Sequence, residues 1–205
     1  CYKLTVAKAS LKDATINVID PDTYVYSGSA IEPALEVTTP DGTSVTTDDY
    51  DISYEPGNIN AGSVEFTLTA KEGSESFTGS TTGEFTIKPK SIAGTTITLG
   101  GDGFDTTTNS FVYNGETQTP EITVTDPDIK DKNGKAVVLQ FKVDYSLTIE
   151  GKSNVGLYKV TVTGLKNYSD QAEVDFDISP LELTEAQINV ALADEAKDYT
   201  YDGTE

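Results

Sequence analysis

The sequence predicts an all-β protein built from tandem two-sheet β-sandwich domains arranged as an elongated rod. Three observations predict it. Segments such as Val64-Glu65-Phe66-Thr67-Leu68 and Tyr158-Lys159-Val160-Thr161-Val162 alternate apolar and polar residues, the pattern of a strand with one buried face. Turn chemistry separates such segments, in Pro40-Asp41-Gly42, Pro56-Gly57-Asn58, Lys71-Glu72-Gly73 and Asp131-Lys132-Asn133-Gly134. One ordered set of landmarks occurs twice and then begins a third time.

The landmarks justify the elements in order. Val6-Ala7-Lys8-Ala9-Ser10-Leu11, leading to Thr15-Ile16-Asn17-Val18, returns as Ile87-Lys88-Pro89-Lys90-Ser91-Ile92, leading to Thr96-Ile97-Thr98-Leu99. It returns again as Ile178-Ser179-Pro180-Leu181-Glu182-Leu183, leading to Gln187-Ile188-Asn189-Val190. Tyr24-Val25-Tyr26-Ser27-Gly28 matches Phe111-Val112-Tyr113-Asn114-Gly115 and Tyr199-Thr200-Tyr201-Asp202-Gly203. Pro33 matches Pro120, Asp49-Tyr50-Asp51-Ile52 matches Asp144-Tyr145-Ser146-Leu147, and Asn60-Ala61-Gly62 matches Asn154-Val155-Gly156. Phe77-Thr78-Gly79 and Phe85-Thr86-Ile87 match Tyr168-Ser169-Asp170 and Phe176-Asp177-Ile178. Ile52-Ser53-Tyr54 and Ile122-Thr123-Val124 add short strands. About seven such strands per unit imply a sandwich of two sheets. No segment has a helical period, and Leu183 to Leu192 reads as strand by analogy with its copies. The division expected is a last strand of an upstream repeat at 1–8, repeats at 9–89 and 90–180, and the start of a third at 181–205.

Asn154-Val155-Gly156-Leu157-Tyr158-Lys159-Val160 has the shape of the D-x-G-x-Y-x-C stretch of immunoglobulin domains, in which the Tyr hydroxyl bonds back to the chain at a sheet-to-sheet corner. Val160 stands where the second Cys would be. In the first unit Phe66 does so, and Val64 replaces the Tyr. Without Trp or a Cys pair, cohesion falls to aliphatic, Tyr and Phe packing.

The series Y-x-Y-x-G, P, D-Y-x-[IL]-x-Y, N-x-G, [FY]-x-G and F-x-I resembles the bacterial immunoglobulin-like (MBG or "YDG" type) repeats of large Gram-positive surface proteins. Tyr24, Tyr26, Gly28, Pro33, Asp49, Tyr50, Tyr54, Asn60, Gly62, Phe77, Gly79, Phe85 and Ile87 carry it in the first unit. The second unit departs at Thr148 and Asp170. The resemblance implies tandem immunoglobulin-like β-sandwich domains in a non-catalytic extracellular stalk or spacer on a bacterial cell surface. The alternatives are a glycan- or protein-binding adhesion module using sandwich-end loops, and a filament subunit joined through incomplete terminal strands.

Composition narrows the functions. The 205 residues carry 14 cations, all Lys, against 34 Asp and Glu, for a net charge of −20. Without His there is no Ser-His or Cys-His relay and no imidazole metal site. One Cys allows no internal disulfide and no Cys-rich metal site. Such acidity disfavours nucleic acid and anionic membranes as partners, and no apolar run is long enough to span a bilayer. The partners expected are neighbouring repeats of the same chain, with a host or matrix glycan or protein under the adhesion alternative. The acidity leans towards disorder, but 36% hydrophobic residues, 11 Tyr and 7 Phe favour a folded core. Cys1 reads as a residue at the start of a window on a longer chain rather than as an acylated anchor.

The acidic loops are the candidate sites. Asp20 and Asp22, Asp102 and Asp105, and Asp126, Asp128 and Asp131 gather the hard oxygens that calcium prefers, although solvated turns use the same residues. Asp194-Glu195 occupies the matching place in the third copy. No other cofactor is expected. Tyr24, Tyr26, Tyr113, Tyr199 and Tyr201 could face a sugar, but their recurrence at one framework position favours packing. Paired carboxylates for glycoside hydrolysis are disfavoured, because no acidic motif is unique to one unit. A Lys–Asn isopeptide cross-link is disfavoured too: Lys12 aligns with Ala93 and Glu185, and Lys90 with Ala9.

Overall fold

The computed structural model describes residues 7–149 and 153–183, and these are almost entirely strand and turn. The readings of Tyr2 to Val6 and of the chain from Thr184 onward, including Tyr199 and Tyr201, lie outside the described residues. The first half holds β1 (Ala9–Ser10), β2 (Thr15–Val18), β3 (Leu35–Thr38), β4 (Ser44–Val45), β5 (Tyr50–Glu55), β6 (Gly62–Ala70), β7 (Phe77–Thr78) and β8 (Ser80–Ile87). The second holds β9 (Lys90–Ser91), β10 (Thr96–Gly100), β11 (Ser110–Val112), β12 (Glu121–Lys130), β13 (Ala136–Val138), β14 (Tyr145–Ile149), β15 (Gly156–Gly164), β16 (Tyr168–Ser169) and β17 (Gln171–Ser179). Among the described residues the helical segments are single 3₁₀ turns at Pro21–Thr23 and Ile92–Gly94, too short to leave a period in the sequence.

The halves share one topology. β2-β3-β4 and β5-β6-β8 form sheets in the first half, and β10-β12-β13 and β11-β17-β15-β14 in the second. β11 runs parallel to β17, and at the matching place Val25 bridges Lys88 in parallel. The leading segment of each half is split: β1 pairs in parallel with β7 and β2 antiparallel with β3, while β9 pairs with β16 and β10 with β12. The break has a local cause in each case. Asp13 takes a left-handed φ of 62° in the first half, and the Ile92–Gly94 turn intervenes in the second. One leading segment thereby serves two layers, an arrangement consistent with an immunoglobulin-like sandwich.

Two cores lie between the sheets. One gathers Leu11, Val37, Val64, Phe66, Leu68, Phe85 and Ile87; the other gathers Ile92, Val124, Val160, Val162, Phe176 and Ile178. The expected replacements for cystine are both interior: Phe66 and Val160 are fully buried. Their cross-strand partners compensate for size. Phe66 faces Gly83, where a Cβ would lie 2.5 Å from the Phe66 ring, whereas Val160 faces Val174. The corner reading holds in the second half, where the Tyr158 hydroxyl donates to the Asn154 carbonyl at 2.8 Å. The first Tyr of Y-x-Y-x-G is structural as well. The Tyr24 hydroxyl donates to the Ile19 carbonyl at 2.8 Å and accepts from the Ala34 N–H at 2.9 Å, with its ring edge-on to Phe85.

Candidate functional site

The site is the seam between the halves. Only Lys88 and Pro89 separate β8 from β9, and the backbone on either side of Pro89 is tied to a different half. The Lys88 N–H donates to the Tyr24 carbonyl at 2.8 Å, and the Lys88 carbonyl accepts from the Tyr26 N–H at 2.9 Å. The Lys90 N–H donates to the Asn167 carbonyl at 2.9 Å. Pro89 lacks an N–H and has a ring-restricted φ, so the connection has little freedom between two anchored residues.

The two lysines repeat this division with their side chains. Lys88 Nζ lies 2.6 Å from Asp22 of the first half. Both groups are solvent-exposed, so the pair adds little stability, although hydrogen bonding and charge from Lys88 hold the Asp22 carboxyl below its usual range. Lys90 reaches into the second half. Its Nζ lies 2.6 and 2.7 Å from the two Asp126 oxygens and 3.0 Å from Asp128.

Asp126 is completely buried, whereas the Lys90 side chain keeps 17% exposure. The Tyr168 hydroxyl donates to Asp126 at 3.1 Å and the Asp128 N–H at 2.9 Å. Burial works to raise the Asp126 pKa, but Lys90, the Asp128 amide and Tyr168 outweigh it and hold the carboxyl below its ordinary range. Burial likewise works to lower the Lys90 pKa, and the hydrogen bonds and charges of Asp126 and Asp128 outweigh it upward. Both directions favour the ion pair. Burial and the adjacent Asp126 charge push the Tyr168 phenol up, keeping it a donor.

This triad has an uncharged counterpart. Register places Ala9 opposite Phe77 as Lys90 is opposite Tyr168. Thr39 and Asp126 each follow the residue paired with the start of β2 or β10. The first half therefore holds Ala9, Thr39 and Phe77 where the second holds Lys90, Asp126 and Tyr168. The buried Thr39 hydroxyl bonds within its own turn, to Asp41 and Thr43.

Residues of the first half complete the seam. Tyr26 packs against both cores and stacks edge-on against Tyr168, with ring centroids 5.6 Å apart. Burial and the charge of Asp144 push its phenol up. Gly28 has φ 75°, and a Cβ there would lie 2.7 Å from Ile129 Cγ2. The Asn167 side chain accepts from the Ala61 N–H at 2.8 Å and donates to Asn60 Oδ1 at 3.0 Å. Two landmarks of the repeat, Y-x-Y-x-G and N-x-G, thus meet the following half.

The candidate acidic residues have separate placements. Asp20 adopts φ 46° before a 3₁₀ turn, its carbonyl accepting from Thr23. Asp102 is exposed in the Gly101–Gly103 turn. Asp105 accepts from the Thr107 N–H at 2.8 Å, and Asp131 from the Asn133 and Lys135 N–H groups at 2.8 and 2.9 Å. The structure brings Asp126 and Asp128 together, on Lys90. Among the described residues no group of three or more His, Cys, Asp or Glu is arranged to hold a metal ion.

Sequence reasoning missed Lys90, Tyr168 and Asn167. The alignment of Lys90 with Ala9 serves only to set aside a cross-link; the structure places the Lys90 ammonium on a fully buried carboxylate. The available signal was joint: Lys90, Asp126 and Tyr168 differ together from Ala9, Thr39 and Phe77. Among the described residues no helix is long and apolar enough to cross a membrane. A search of curated proteins finds no match to the chain. The family model of the MBG domain, a bacterial immunoglobulin-like surface-protein repeat, matches residues 103–192.

Proposed function

We propose that the chain is a segment of a non-catalytic stalk of a bacterial surface protein, in which tandem repeats hold an elongated rod outside the cell. Repeats at 9–89 and 90–180, flanked by partial repeats at 1–8 and 181–205, are the units of that reading. Two cores of the same topology support it. The MBG match extends past Pro180 to residue 192, so the family frame is offset in phase from these bounds.

The observation that carries the reading is the double anchoring of the linker. A spacer must transmit position, and a freely jointed chain loses reach as its units reorient. Here Lys88 is bonded into one unit and Lys90 into the next, with Tyr26, Gly28 and Asn60-Ala61 seated on the second unit. The stability of such an array is a sum of unit cores and nearest-neighbour interfaces. Backbone ¹⁵N relaxation of the full chain tests this. Both units should share one anisotropic tumbling time; separate, shorter times for each would overturn the stalk reading.

A further inference from the structure

The far end of the second unit presents the same landmarks that the first unit uses at the seam, without a described neighbour. Tyr113 and Gly115 correspond to Tyr26 and Gly28, and Asn154-Val155 to Asn60-Ala61. The Tyr113 N–H donates to the Ser179 carbonyl at 2.9 Å, as the Tyr26 N–H does to Lys88. Among the described residues nothing lies within 4 Å of a Cβ at Gly115, whereas the space at Gly28 is filled by Ile129. Val112, Tyr113, Val155 and Leu181 are large exposed side chains there, and Val112, Ser179, Pro180, Leu181 and Glu182 border a groove, with Glu182 its one charged residue.

We propose that this face docks the leading end of a following repeat, the one that opens in residues 181–205, and that the linker residue Leu181 enters an uncharged site in that repeat where Lys90 enters the Asp126 site of the second unit. The proposal rests on the stalk reading and adds the chemistry of the partner. Leu181 occupies the position of Lys90 and Ser179 that of Lys88, so the second linker carries neither cation. A repeat with a buried acid at the place of Asp126 would leave that charge without its cation, a large penalty in the interior. The repeat that fits Leu181 has an uncharged residue there and a ring without a hydroxyl at the place of Tyr168, as Thr39 and Phe77 provide in the first unit. It keeps a bulky aliphatic side chain over Gly115, as Ile129 stands over Gly28.

The test extends the chain after Leu183 with a copy of residues 93–180 and follows the tumbling of each unit by ¹⁵N relaxation. One version carries Asp126→Thr and Tyr168→Phe in the copy; a second carries the copy unchanged; a third carries it unchanged with Leu181→Lys. The first and third should tumble as one three-unit rod. The second should show a third unit with a shorter, independent tumbling time, or with a lowered melting temperature. The proposal is overturned if the first version's third unit moves independently while the original pair stays coupled. It is also overturned if the second version is as rigid and stable as the third. Independent motion of the original pair would instead overturn the stalk reading.

Discussion

Replacing Lys90 with Ala isolates the energetic role of the buried ion pair beside the seam. The change leaves the Asp126 carboxylate fully buried, with the Tyr168 hydroxyl at 3.1 Å and the Asp128 amide at 2.9 Å as its main remaining partners. Removing one member of a buried ion pair costs about 3–5 kcal/mol. The remaining donors and the 17% exposure of Lys90 reduce this to about 2–3 kcal/mol. Asp126→Thr and Tyr168→Phe alone should each cost about 1–2 kcal/mol through unpaired groups. The triple variant Lys90→Ala, Asp126→Thr, Tyr168→Phe reproduces the set that the first unit already buries, and should fall within about 1 kcal/mol of the parent. Urea denaturation of the full chain, followed by circular dichroism with hydrogen exchange assigning the transition to the second core, measures all four. The Lys90→Ala deficit should also shrink on acidification, because protonating Asp126 removes the unpaired charge. A triple variant as unstable as the sum of the singles would refute the reasoning, as would a Lys90→Ala deficit that does not change with pH.

Three further outcomes follow from the same geometry. Gly28→Ala should cost about 1–3 kcal/mol from its positive φ and the approach of Ile129, and should loosen the seam; Gly115→Ala, with nothing among the described residues within 4 Å of the new Cβ, should cost only the smaller backbone share, as paired melting curves would register. Asp126 has a lowered pKa, so its contribution is complete above the ordinary value of 3.8 and is lost as pH falls through the lower folded value. Lys90 and Tyr168 have raised values, so their contributions are complete below the ordinary 10.5 and 10.0 and are lost as pH rises through the higher folded values; a pH series of urea midpoints should be flat between these limits. Adding a chelator should leave the melting temperature unchanged, because Asp22, Asp126 and Asp128 are engaged by lysines and Asp105 and Asp131 by their own turns; a drop reversed by calcium would reveal linked ion binding.

The fold was legible because its causes are local and repeated. Period-two alternation at Val64 to Leu68 and Tyr158 to Val162 selects a strand and its buried face, and the turn residues between such runs decide where the chain reverses. The corner Tyr158 was legible from Asn154 and Gly156, since a short sequence span sets that geometry. Duplication of the landmarks extended each inference to the other half. The seam was only half legible. Tyr26, Gly28 and Asn60 recur and so announced a shared task, but a single sequence does not say whether a recurrent Tyr covers its own core or a neighbour's.

What the sequence by itself determined was the set of strands, their buried faces and the duplication, because these follow from backbone geometry and the spacing of apolar side chains along the chain. Only the tertiary structure decided that Lys90, Asp126 and Tyr168 form one buried group, and that Lys88 and Lys90 anchor the linker to opposite units. These residues are dozens of positions apart, and their electrostatics depend on exclusion of water. Burial turns an acidic loop residue into a partner that must be paired, and no reading of Asp126-Pro127-Asp128 as a stretch of chain contains that burial.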